Sequence, residues 1–123
     1  MAYYTGSVNS YAELLSALTS ACVQQGWAWS EGVLSKGSAF LMPTASMTGS
    51  TQGLLIRGGT GRVGGGLANP SPAAIRLGPP RVSAYFPDVT WPAVYHIHVN
   101  SAPDEVYVIL NFNITNYYWL AFG

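Results

Sequence analysis

Three runs near the C-terminus constrain the fold more than any other feature of this chain. Val94 to Val99, Val106 to Asn113 and Tyr117 to Phe122 are dense in Val, Ile, Tyr and Phe. Such β-branched and aromatic residues favour a pleated, half-buried surface. The spacers Asn100-Ser101-Ala102-Pro103-Asp104-Glu105 and Ile114-Thr115-Asn116 have the chemistry of turns. The first spacer predicts a hairpin with a loop of about four to six residues, and the third run extends it to an antiparallel meander.

One helix is predicted, over residues 10 to 26. Ser10 and Glu13 form the S-x-x-E capping box. Tyr11, Leu14, Leu15, Leu18, Ala21 and Cys22 then fall on one face at a period of 3.6. Gly26 is placed to end the helix, with Trp27 folding back on the last turn. Cys22 lies on the apolar face and reads as a small buried hydrophobe.

Between these ends the chain predicts shorter strands. Trp27 and Trp29 alternate onto one face before a turn at Glu31-Gly32. Val33-Leu34 and Ala39 to Met42 flank a second turn at Ser35 to Ser38, and Pro43 is expected to stop the second run. Thr44 to Gly53 reads as a polar loop and Leu54 to Arg57 as a strand. Ala73 to Leu77 is a short strand or turn, Arg81 to Phe86 alternates weakly, and Pro87 and Pro92 bracket a loop around Trp91. The sum is an α+β fold: one N-terminal helix packed on an antiparallel β-sheet, with a C-terminal β-meander, in a single domain of 123 residues.

The glycine-rich stretch Arg57 to Gly66 contains Gly59-Thr60-Gly61-Arg62-Val63-Gly64, a literal G-x-G-x-x-G. A dinucleotide fingerprint needs a helix after the glycines, so that the pyrophosphate sits on its N-terminus. Here Gly65-Gly66-Leu67-Ala68-Asn69-Pro70-Ser71-Pro72 follows, and no helix persists through it. No Gly-Lys-Ser/Thr is present for a phosphate loop either. The reading is a long loop, residues 58 to 72, used as an arm on a neighbouring chain. Residues 1 to 9 read as a second arm.

Composition bears on where such a chain lives. Charged residues make up 8%, against roughly 25% in an average domain. Four Trp and eight Tyr accompany a net charge of zero. Charge depletion with aromatic enrichment is typical of interface cores, so the chain reads as a subunit of an assembly. Five basic residues cannot make a nucleic-acid footprint, and no apolar run is long enough for a membrane span. The N-terminus lacks the pattern of a signal peptide, and a single cysteine excludes an internal disulfide. Both point to folding in a cytoplasm.

Enzymatic chemistry finds little support. His96 and His98 are two apart on a strand and share a face. As metal ligands they need a third, and Asp88, Asp104 and Glu105 all fall in expected loops. The pair reads instead as polar residues on the outer face, with Tyr95, Ile97 and Val99 turned inward. No nucleophile-elbow, metalloprotease or Cys-x-x-Cys motif occurs. No cofactor is expected.

Two stretches resemble small structural proteins of tailed bacteriophages. Residues 3 to 42 carry a YYTG start, a helix ending in Ala-Cys, a Gly-Trp-x-Trp and a Val-Leu-Ser-Lys-Gly. Residues 94 to 123 carry a YHI-x-V strand, a Pro-Asp-Glu-Val turn, an Asn-Phe-Asn and a closing Trp-Leu-Ala-Phe-Gly. The resemblance implies a non-enzymatic virion component of the tail, its tip or baseplate, or the fibre attachment. Such a subunit is assembled in the host cytoplasm with copies of itself and neighbouring tail proteins. Candidate interface residues are Tyr3, Tyr4, Arg57, Gly58, Gly59, Gly61, Arg62, Gly64 and Trp91. The alternative is a peripheral module that binds host-surface glycans through exposed aromatics, with Trp91 the first candidate.

Overall fold

The computed structural model describes residues 2–46, 53–64, 66–77, 91–101, 104–113 and 116–122. The expected strand at Arg81 to Phe86, the candidate ligand Asp88 and the middle of the expected polar loop (residues 47 to 52) lie outside them. The described chain is α+β, with one helix and mostly antiparallel strands.

The helix α1 (Tyr11–Gln24) follows the sequence closely. Ser10 is its N-cap; its Oγ accepts from the Glu13 N–H at 3.1 Å, and Glu13 Oε1 accepts from the Asn9 N–H at 3.0 Å. At the other end Gly26 adopts φ +93°, a region open to glycine. The Gly26 N–H then reaches the Val23 carbonyl at 3.2 Å, and the Trp27 N–H the Cys22 carbonyl at 3.0 Å. This paired closure satisfies carbonyls the helix leaves open.

Four strands form the first sheet, in the order β1 (Ala2–Val8), β9 (Ala93–Asn100), β10 (Glu105–Asn113), β11 (Asn116–Phe122). The meander β9-β10-β11 is antiparallel throughout, as the C-terminal runs predict. Residues 1 to 9 are not a free arm: Ala2–Val8 pairs along its whole length with β9. Tyr3, Thr5 and Ser7 are exposed on one face while Ala2, Tyr4, Gly6 and Val8 turn to the other, and β9 supplies the ladder.

The second sheet has the order β2 (Ala28–Ser30), β3 (Val33–Lys36), β4 (Ala39–Ser46), β5 (Gly53–Gly59), β8 (Ile75–Leu77). Ser30 pairs with Val33, so Glu31 and Gly32 form a two-residue hairpin loop, with φ of 51° and 81°. Both central residues at positive φ match the twist of the strands. Pro43 does not stop β4, which continues to Ser46. The β3 ladder begins at Leu34 opposite Leu41, so Pro43 lies beyond it and pairs only with Ile56 of β5. A proline with a ladder on one side alone is tolerated. Trp27 and Trp29 do not share a face. The helix closure fixes Trp27, buried at 3% and edge-on to Phe122, whereas Trp29 points outward at 40%.

The stretch 58 to 72 is not an unstructured loop. Gly58 and Gly59 end β5, and a small hairpin follows, β6 (Gly61–Val63) with β7 (Gly66–Ala68). It is tied back by Thr60 N–H to Ala68 carbonyl (2.9 Å) and Ser71 N–H to Gly58 carbonyl (2.8 Å). The glycines serve this close packing. A Cβ on Gly59 would sit 2.8 Å from both the Ala68 carbonyl and the Leu67 Cβ.

The core gathers one side chain in two from each sheet and the apolar stripe of α1. Val8, Ile97, Val99, Val106, Val108, Leu110 and Leu120 line it from the first sheet. Leu34, Leu54, Ile56 and Leu77 come from the second, and Tyr11, Leu14, Leu18, Ala21 and Cys22 from the helix. An ion pair, Lys36 Nζ to Asp104 at 2.8 Å, joins β3 to the turn between β9 and β10.

Candidate functional site

Because side chains alternate across a strand, the register of the first sheet fixes what its other face presents. Three rows run across the four strands: Tyr3-His98-Tyr107-Ala121, Thr5-His96-Ile109-Trp119 and Ser7-Val94-Asn111-Tyr117. Trp119 is 69% exposed, Tyr117 53%, Tyr3 52% and Val94 43%. Strand spacing and rise make these rows about 14 Å wide and about 14 Å long. A clustered aromatic face of this kind marks a contact surface more often than scattered apolar residues do.

The face is nearly free of charge. Among the described residues its one formally charged member is Glu105, at the end beside Tyr107, which donates its hydroxyl to that carboxylate; at the β11 edge Arg76 of β8 lines a shallow cavity with Trp119 and Ala121. This hydrogen bond, with the carboxylate charge behind it, raises the Tyr107 pKa above the phenol's ordinary value. Tyr3 organises the opposite edge. Its ring stacks over His98 at 4.8 Å and His96 at 5.9 Å, and its hydroxyl lies 2.6 Å from His96 Nδ1. Thr5 donates to the Tyr95 carbonyl at 2.9 Å. The two histidines do share the outer face, while Ile97 and Val99 turn inward. Among the described residues no third His, Cys, Asp or Glu joins them.

The other candidate residues are dispersed. Tyr4 turns inward, where its hydroxyl accepts from Gln25 Nε2 at 2.7 Å. Arg57 is exposed on β5, Gly58 and Gly59 are half-buried in it, and Gly64 occupies the β6–β7 turn at φ +59°. Gly61 begins β6, where Arg62 is ion-paired with Glu31 of the β2–β3 turn. The G-x-G-x-x-G thus runs from a strand into a hairpin, and no helix N-terminus stands behind it. Trp91 is no exposed ridge: it is half-buried and meets Tyr11 edge-on at 5.1 Å.

Comparison with known protein families, curated proteins and solved structures finds no match to this chain. The face must therefore be read from its chemistry. Among the described residues no helix is long and apolar enough to cross a membrane. Cys22 is fully buried in the core, and burial pushes its thiol up to about 12 from 9.0, far from the range of a reactive thiolate.

Trp119, Tyr117, Val94 and Ile109 are the members that sequence reasoning missed. In Asn116–Phe122 nearly every position is apolar or aromatic, so alternation does not reveal which half points out. The signal was available one step away. Once His96 is placed outward, the hairpin register carries that face to Ile109 and then to Trp119.

Proposed function

We propose that this chain is a non-enzymatic structural subunit of a tailed-bacteriophage virion, in the tail or its tip, baseplate or fibre attachment. It acts by docking the outer face of its four-stranded sheet on neighbouring subunits. The observation that carries the reading is the face itself: exposed Trp119, Tyr117 and Tyr3 in a nearly uncharged field, on a chain with 8% charged residues. Aromatic residues concentrate, and charged residues thin out, at the buried centre of protein interfaces. The resemblance of residues 3 to 42 and 94 to 123 to phage structural proteins supports the virion setting.

One observation favours a second reading. Trp119 and Tyr117 lie in a face with hydrogen-bonding neighbours, Asn111, His96 and Thr5. Flat aromatics beside polar groups also suit host-surface glycans. Phage carrying Trp119→Ser separates the two. Trp119 is exposed, so its loss leaves the fold intact. The docking reading predicts particles in which the subunit is lost or depleted. The glycan reading predicts complete particles that adsorb poorly, and complete particles with normal adsorption would count against both.

A further inference from the structure

The first sheet ends at β1, and the geometry points to this edge as a pairing site for β1 of a second copy. Among the described residues no strand pairs its far side. Natural edges are guarded by shortness, charge, proline or a bulge, and β1 has none of these. It is seven residues, Ala-Tyr-Tyr-Thr-Gly-Ser-Val, in unbroken register with β9. The other sheet ends differ: β2 and β8 are three residues each, and β8 lies against β11.

Burial shows the same gap. Ile97 and Val99 of β9 are 0% and 2% exposed, whereas their ladder partners Tyr4 and Ala2 remain half-open on the same inner face. A further strand alongside would cover them. The strand suits its own copy because it carries no charge to repel an identical neighbour. Antiparallel pairing about Thr5 sets Tyr4 against Gly6 and Tyr3 against Ser7. Two sevens pair through about six to eight hydrogen bonds, within the range of a typical interface. The result is an isologous two-fold dimer with one continuous eight-stranded sheet, whose outer face joins the two aromatic surfaces. It does not depend on the virion reading.

Sedimentation of the purified full chain tests this, with circular dichroism to confirm folding. Wild type should be dimeric at protein concentrations into the tens of micromolar. Thr5 is exposed on the outer face, so Thr5→Lys and Thr5→Glu place like charges across the axis. Each alone should be monomeric, and an equimolar mixture should recover the dimer. A monomeric wild type overturns the proposal. So does a dimer lost with Trp119→Ser, whatever Thr5→Lys does, which would assign self-association to the aromatic face that Thr5 shares.

Discussion

At Gly59 a single methyl group meets fixed backbone rather than a movable side-chain tip, since the Ala68 carbonyl is 2.8 Å from where a Cβ would stand. Gly59→Ala should therefore cost about 1–3 kcal/mol, the range for forced overpacking, measured by urea unfolding. Gly61→Ala meets only ordinary contact with Ala68 Cβ at 3.7 Å and should cost less. The glycines of this stretch thus differ in role, which the motif alone does not disclose. Cys22 gives a second prediction at this scale. Its pKa in the fold is about 12 against an ordinary 9.0. Below pH 9 the thiol is neutral in both states and stability is unaffected. Above it the unfolded chain releases a proton that the fold retains, so stability falls as pH rises towards 12. The raised Tyr107 hydroxyl acts in the same direction. Cys22→Ala should flatten the alkaline slope, and the native thiol should resist aromatic disulfide reagents until denaturant is added.

Among the elements, α1 was the most legible in the sequence. Ser10 and Gly26 act through local backbone geometry and take the predicted roles, while Glu13 reaches one residue further back, to the Asn9 N–H. Ser10→Ala should cost about 1 kcal/mol in thermal unfolding. The meander was equally readable, because turn chemistry separates its runs and His96 and His98 betray the outward parity of β9. The misread elements depended on partners far away in sequence. On its own β1 reads as an arm, because what makes Ala2–Val8 a strand is β9, about ninety residues on. Pro43 reads locally as a stop, because nothing nearby in sequence says that the β3 ladder ends before reaching it. The β6–β7 hairpin was hidden by its glycines, which signal freedom locally yet permit close packing against β5. The cross-sheet pair Lys36–Asp104 was likewise invisible. Its partners are 23% and 37% exposed, so Asp104→Asn should cost at most about 1 kcal/mol, and less at high salt.

At the scale of the whole molecule, the aromatic outer face and the scarcity of charge are one property. Few charged groups are spread over the chain, and the first sheet exposes Trp119, Tyr117 and Tyr3 where a monomer would place polar side chains. The face spans only about 14 Å each way, less than a stable interface of roughly 800 Å² per partner requires. Joining two faces through β1 would enlarge it without new residues. In the proposed role this face is covered in an assembled phage particle. Hydroxyl-radical footprinting of Trp119, in purified particles and in the isolated subunit, tests it most directly. Rapid oxidation of Trp119 is expected in the isolated subunit, and strong protection in the particle. Equal reactivity in both, or absence of the protein from the particles, would contradict it.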